Sequence, residues 1–275
     1  MKKNIQTEEK KLGFFAAARQ QIKSSKSTFI VYTILRVFVL ASLVMSLFRG
    51  EFENVFVYAL ALLLFLAPAI LERKLKIELP STFEIIILLF IFSAEVLGEI
   101  HSFYVRIPHW DTMLHTMNGF LFAAVGFSLM DMINRNPHMK FQLSPFYLAL
   151  VAFCFSMTIG VLWEFFEFGC DMFLEKDMQK DYVINAFSSV KLDPTNSNIP
   201  IRVEGITDVV VNGQSLGLGG YLDIGIIDTM KDLFVNFIGA VVFSVIGFFY
   251  VKSRGKGKFA KRFIPVIDTD ANKEE

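Results

Sequence analysis

Long stretches of this chain are apolar all the way round, with no polar face at a period of 3.6 or 2. A helix of that kind is either buried or crosses a bilayer. The 275 residues are 53% hydrophobic, include 31 Phe and have a mean hydropathy of +0.48, too apolar for an ordinary soluble domain. Six runs near the ~20 residues needed for ~30 Å of hydrocarbon are expected to span: Thr28–Phe48, Val55–Leu71, Thr82–Phe103, Asp111–Ile133, Pro145–Phe168 and Ile226–Val251. The second is the shortest and holds Pro68, which predicts a kink. The fold class that follows is an all-α polytopic membrane protein of about six transmembrane helices, with a small external loop carrying a β-hairpin.

The basic residues set an orientation. Nineteen of the 27 Lys and Arg residues fall on one side of a six-span arrangement, in the segment before the first span, in 73–76, in 135–140 and after Val251. The positive-inside rule then places both termini in the cytoplasm. The organisation expected is a basic cytoplasmic segment 1–27, a transmembrane domain 28–252 that includes an external loop 169–225, and a basic cytoplasmic tail 253–275. Lipid headgroups are the natural partners of these basic tails. Nucleic acid is not, because sidedness already accounts for the charge. The first run reads as a retained anchor and not a cleaved signal, since Arg36 interrupts it and no A-x-A site follows. Residues Leu12 to Ile22 are either a short interfacial helix or an irregular tail. Cys154 and Cys170, about 16 residues apart on one helix, lie ~24 Å apart and cannot form a disulfide.

Within the loop, Thr207–Val211 followed by Asn212-Gly213 carries the β-branched–Asn-Gly pattern of a tight hairpin, and Ile199–Val203 alternates like a short strand. The loop contains no G-x-x-x-x-G-K-[ST] phosphate motif. Its length suits either a lid or a passive cap.

Three separate polar sets sit at the external ends of spans four, five and six. Asp111, His115 and Asn118 are spaced i, i+4, i+7; Glu164, Glu167 and Asp171 i, i+3, i+7; Asp228, Asp232 and Asn236 i, i+4, i+8. Each set therefore occupies one helix face. Glu95 and Glu99 add carboxylates near the end of span three, and Trp110 and Trp163 fall where an interfacial aromatic belt would lie. Ionisable groups inside a membrane usually face a bundle interior or a water-filled cavity. Only Arg106 and Lys231 are close in sequence to offset these acids. Three readings stay open: a divalent metal held by mixed carboxylate and imidazole ligands, carboxyls that share protons, or solvated helix ends. The metal reading takes Asp111, His115, Glu164, Glu167 and Asp232 as ligands, with Asp232, Glu164 and Asp228 as the catalytic carboxylates. Glu95, Glu99, Asn118, Asp171 and Asn236 are the supporting polar residues. His138 falls in a cytoplasmic connection and takes no role. No Ser or Cys stands beside an obvious base, which leaves little room for triad-type nucleophilic catalysis.

These residues resemble the YjdF-like family of bacterial integral membrane proteins. The resemblance rests on His109-Trp110-Asp111-Thr112-x-x-His115-x-x-x-Gly119, on Trp163-Glu164-Phe165-x-Glu167, and on Tyr221-Leu222-Asp223-x-Gly225-x-x-Asp228-Thr229-x-x-Asp232-x-x-x-Asn236-x-x-Gly239. It covers roughly residues 30–252 and implies a multi-pass protein of the bacterial cytoplasmic membrane. A more distant similarity is to VanZ-like proteins, which share the order Asp-x-x-x-His, Glu, Asp-x-x-x-Asn-x-x-Gly. This chain departs from them in having Glu167 where that pattern usually has Gln, and in its longer loop. For function, the polar sites suggest an envelope enzyme acting on a lipid or lipid-linked amphiphile. A proton- or cation-coupled transporter and a non-catalytic scaffold are the alternatives.

Overall fold

The computed structural model describes residues 26–75, 77–135 and 142–267. The segment Leu12 to Ile22, His138 and the end of the basic tail lie outside them. Among the described residues, five helical stretches are long and apolar enough to cross a membrane: Lys26–Arg49, Phe52–Lys74, Trp110–Arg135, Pro145–Leu174 and Ile226–Lys252. The strands are short pieces. The architecture is that of an all-α polytopic membrane protein. The described residues fall into two compact units, one made of those up to Trp110 with 249–267, the other Asp111–Phe248.

In the first unit, helix α1 (Lys26–Arg49) packs with α2 (Phe52–Leu64) around a core of Leu35, Val39, Tyr58, Ala61, Phe65, Leu88, Ile91 and Val96. The second expected span breaks as its proline predicts. Helix α2 ends at Leu64 and α3 (Ala67–Leu75) starts two residues beyond the break. Leu64 is four residues before Pro68, so its carbonyl is the one the proline ring would strike, and Pro68 has no N–H to offer it. The third expected span is helical over Ser81–Ile100 but changes character midway. It is α4 (Ser81–Ile91) and then a π-helix over Phe92–Ile100 that carries Glu95 and Glu99. A π-helix of that length is rare. Within it, a Cβ on Gly98 would come within 2.3 Å of the Tyr104 ring, so the ring lies where any larger residue would project. A single turn, α5 (Phe103–Arg106), follows. Trp110 donates from its indole to the Ser93 carbonyl and packs edge-on against Phe103. Strand β1 (Ile77–Glu78) pairs antiparallel with the final strand, Val266–Ile267.

The second unit is built on α6 (Trp110–Arg135), α7 (Pro145–Leu174) and α8 (Ile226–Lys252). Helix α7 begins on Ser144, whose hydroxyl accepts from Tyr147 N, with Pro145 at the first helical position, where its missing N–H is of no consequence. Helices α6 and α8 touch backbone to backbone. A Cβ on Gly119 would lie 2.0 Å from the Asn236 carbonyl oxygen, and one on Gly239 would lie 2.1 Å from that of Thr116. Small residues let membrane helices approach in this way, and dispersion between the backbones then replaces contact with lipid. Farther along, Phe120, Phe127 and Phe243 stack edge-to-face beside Ala123, Ala124 and Ala240. Outward faces are apolar: Phe165, Phe166, Phe168, Met230 and Phe234 are all exposed. In water such a surface would be a liability; facing lipid it is what a spanning bundle requires.

The long connection differs from expectation at its start. Helix α7 does not stop near Phe168 but continues to Leu174 and ends on Glu175, in the left-handed conformation (φ 53°). The acidic residues there do not break it. The chain is turned back instead by Asp171, whose two carboxylate oxygens accept from Met178 N and Gln179 N at 2.6 and 2.8 Å. Strand β2 (Val183–Ile184) later pairs with Tyr221–Leu222, closing the loop at its base. Inside it, β3 (Phe187–Ser189) pairs with β4 (Ile201–Val203), so the alternating stretch is a strand whose partner lies upstream. The Asn-Gly hairpin forms as expected. Strand β5 (Val210–Val211) pairs with β6 (Gln214–Ser215) through Asn212 and Gly213, at φ 53° and 82°. Positive φ at both turn residues is the type I′ requirement. Asp193 organises the turn between β3 and β4. It accepts from the Thr195 hydroxyl and from the Thr195, Ser197 and Ile199 amides, and these bonds hold its carboxyl down at about 2. Of the strands already met, Tyr221–Leu222 is β7 and Val266–Ile267 is β8.

Candidate functional site

The three polar sets converge at one end of the α6–α7–α8 bundle, but not all of their members point the same way. His115 lies at the centre and is buried. Its Nε2 is 3.4 Å from Asp111 Oδ1 and 3.9 Å from Asp232 Oδ2, and its Nδ1 is 3.9 Å from Glu164 Oε1. Two three-residue groups share this imidazole, Asp111–His115–Asp232 and His115–Glu164–Glu167. In each group, one ligand atom per residue lies within 4.8 Å of the others. Glu164, Glu167 and Asp232 are buried, and Asp111 is half-buried. Burying carboxylates without compensation is expensive. The cation that was expected close by, Lys231, turns away, with its ammonium 3.7 Å from the centre of the Tyr182 ring.

Glu167 has one good partner: Trp163 Nε1 donates to its Oε1 at 2.8 Å. Trp163 is thus more than the belt residue its position suggested, because the i, i+4 spacing brings its indole onto the acid. Glu164 differs. The Thr229 hydroxyl is close to its carboxylate, yet the buried Oε2 accepts no hydrogen bond. The residue is only 4% exposed.

One turn deeper, Asn118 Nδ2 donates to Asn236 Oδ1 at 2.9 Å, and Asn236 Nδ2 reaches the Met157 sulfur at 3.6 Å. Asn236 is fully buried against Gly160, where a Cβ would lie 2.6 Å from its amide nitrogen. Ser156 donates to the Gly119 carbonyl at 2.7 Å. This layer fixes the relative height of the three helices, and with it the positions of His115, Glu164 and Asp232.

Asp171 and Asp228, one turn the other way, hold the connection, Asp228 while staying within electrostatic reach of Asp111, His115, Glu164 and Asp232. Asp228 Oδ2 accepts from Lys180 N at 2.7 Å. Gln179 donates its side-chain amide to the Thr229 hydroxyl, and Asp223 accepts from Tyr182 N and Ile227 N at 2.6 and 2.8 Å. Residues 178–182 are therefore strapped across α7 and α8 by three acids. Gln179, Thr229, Met157, Ser156 and Asp223 were not singled out from the sequence as site residues. The only available signal was the position of Asp223 and Thr229 inside the last motif. Glu95 and Glu99 lie in the other compact unit, on its π-helical segment. His109 is exposed.

Comparison with known families bears on what this bundle is. Residues 31–253 match the family model described as "Predicted membrane protein (DUF2238)". The chain belongs to that family. The matched region takes in all three helices of the site and the long connection between them. No curated protein and no solved structure matches the chain.

Proposed function

We propose that this DUF2238 member is a membrane-embedded metalloenzyme whose ligands are Asp111, His115, Glu164, Glu167 and Asp232. One observation carries the reading. The imidazole–carboxylate separations of 3.4–3.9 Å exceed a good N–H···O bond of ~2.7–3.2 Å. They are instead the spacing of atoms that share an ion: two ligands each bound at ~2.0–2.2 Å stand roughly 3.4 Å apart at a tetrahedral angle, and farther apart as the angle opens. The buried, unbonded Glu164 Oε2 supports the same reading, since a cation would satisfy it.

A mixed nitrogen and oxygen set suits zinc or manganese better than magnesium or calcium. Such an ion lowers the pKa of a bound water and polarises an ester or phosphoester oxygen. This chain's residues supply the rest. The carboxylate oxygen of Glu164 or Asp232 left free by the ion would serve as proton acceptor, Trp163 orients Glu167, and the Asn118–Asn236 pair holds the helices in register. Asp228 is assigned to holding the strap, because its carboxylate is engaged by Lys180 N. The place of the site at one end of apolar helices favours an amphiphilic substrate, an envelope lipid or lipid-linked precursor, in a bacterial cytoplasmic membrane with both chain termini inside. Ion-coupled transport is less well supported. Beyond Asn236 the bundle is packed mainly by Phe120, Phe127, Phe243, Ala123, Ala124 and Ala240; the buried polar residues there are Ser128, Ser244 and Asp131, and Asp131 is paired with Arg135.

The test is turnover in mixed micelles. Purified protein is incubated with total envelope lipid and zinc or manganese, and headgroup or phosphate release is followed by mass spectrometry. Release by the wild type, lost with chelator and in Asp232→Asn, is expected. Absence of any bound or bindable divalent ion would refute the proposal.

A further inference from the structure

We infer that the site holds two divalent ions, one on each nitrogen of His115, with the imidazole ring as the bridge between them. This rests on the metal reading above and goes beyond it in number and arrangement.

The observation is the partition of the carboxylates around the ring. Asp111 and Asp232 approach Nε2, at 3.4 and 3.9 Å, and Glu164 approaches Nδ1 at 3.9 Å. Glu167 belongs with Glu164 in its ligand group. The two nitrogens of an imidazole point in divergent directions, so a single ion cannot bond both. An ion at the Nε2 edge would meet Asp111 and Asp232, and one at the Nδ1 edge would meet Glu164 and Glu167. Each would then have three protein ligands and an open position for water, the arrangement of catalytic rather than structural sites.

Charge favours two ions. Four carboxylates surround one imidazole. A single dication at either edge leaves the other pair of acids without a cation, and three of the four, Glu164, Glu167 and Asp232, are buried. Glu164, the acid beside Nδ1 through its Oε1, keeps its other oxygen, Oε2, buried and unbonded. Two dications offset the four carboxylates and leave only the single negative charge of the bridging imidazolate. To bond an ion at both nitrogens, His115 must give up its remaining N–H proton, which passes to water. Binding of the second ion is therefore linked to release of one further proton and tightens as pH rises. The ring keeps the ions farther apart than the ~3.5–4 Å of carboxylate-bridged pairs. One ion can thus activate water while the other holds the substrate oxygen.

The experiment is a zinc titration of metal-free full-length protein in mild detergent, followed by calorimetry and elemental analysis. Four samples are compared: wild type, the pair Asp111→Asn with Asp232→Asn, the pair Glu164→Gln with Glu167→Gln, and His115→Ala. The amide variants keep side-chain shape, and detergent melting confirms that each is folded. Two zinc ions per wild-type chain are expected, one in each double variant, and none held tightly in His115→Ala. Copper-loaded wild type should show exchange coupling in its electron paramagnetic resonance spectrum that either double variant abolishes. One zinc per wild-type chain, lost in both double variants alike, overturns the two-ion inference and leaves the metalloenzyme reading intact. Two ions with uncoupled copper spectra overturn the bridge. No zinc bound by wild type overturns both.

Discussion

Replacing Gly119 with alanine tests whether helix spacing sets the site. The added Cβ would lie 2.0 Å from the Asn236 carbonyl oxygen, which is backbone and cannot swing aside. Carbon–oxygen contact needs ~3.3–3.6 Å, so α6 and α8 must part by roughly 1.3–1.6 Å at this level. Overpacking of this kind costs ~1–3 kcal/mol, and for a domain of this size that lowers melting by roughly 2–10 °C. The larger effect falls on the site. Asn236 is one turn from Asp232 and is joined to Asn118 by a single 2.9 Å bond. A shift of about 1 Å exceeds the ±0.2 Å within which metal ligands must lie. Zinc affinity should therefore fall by at least about tenfold, or ~1.4 kcal/mol, though no ligand is altered. Differential scanning fluorimetry in detergent and zinc calorimetry read the two effects. Gly239→Ala, whose Cβ would meet the Thr116 carbonyl at 2.1 Å, should behave alike. Melting within about 1 °C of wild type together with unchanged zinc affinity would show that the helices yield without moving the ligands, and the reasoning would fail.

Trp163→Phe should lower stability by ~1–3 kcal/mol by leaving the buried Glu167 without its donor, while Trp110→Phe, checked by the same melt, removes a donor from a backbone carbonyl that is not an acid. Asp171→Ala should free Met178 N and Gln179 N and speed trypsin cleavage after Lys180 without melting the helices; an unchanged digestion rate would mean that Asp228 and Asp223 suffice to hold the strap. The Asp193 turn contributes stability that is full above the unfolded carboxyl value of ~3.9 and is lost as pH falls through about 2, so pepsin should cut 193–199 only near the lower limit. A reporter fused after residue 190 should read external and one after residue 260 cytoplasmic; both on one side would overturn the orientation inferred from the basic residues.

Much of the fold was legible because bilayer chemistry is one-dimensional. Backbone groups in hydrocarbon must bond within their own segment, so apolar length alone marks five of the six expected spans; the other, Thr82–Phe103, is divided between α4 and a π-helix and is not one of the five long spanning helices. The break at Pro68 and the turn at Asn212-Gly213 were equally local, each decided by the φ or N–H requirement of one or two residues. Even the convergence of Asp111, His115, Glu164, Glu167 and Asp232 was readable, since periodicity puts each set on one helix face and cost drives those faces inward.

Only the tertiary structure separated the members of each stripe. Asp228 and Asp232 are one turn apart on the same face of α8, yet one bonds Lys180 N and the other faces His115. Glu167 and Asp171 divide in the same way on α7. Periodicity fixes an angle about a helix axis. It carries no information on what the neighbouring helix presents at each height. That height is set by the contacts of Gly119 and Gly239 with facing carbonyls and by the Asn118–Asn236 bond, between residues more than a hundred positions apart in the chain.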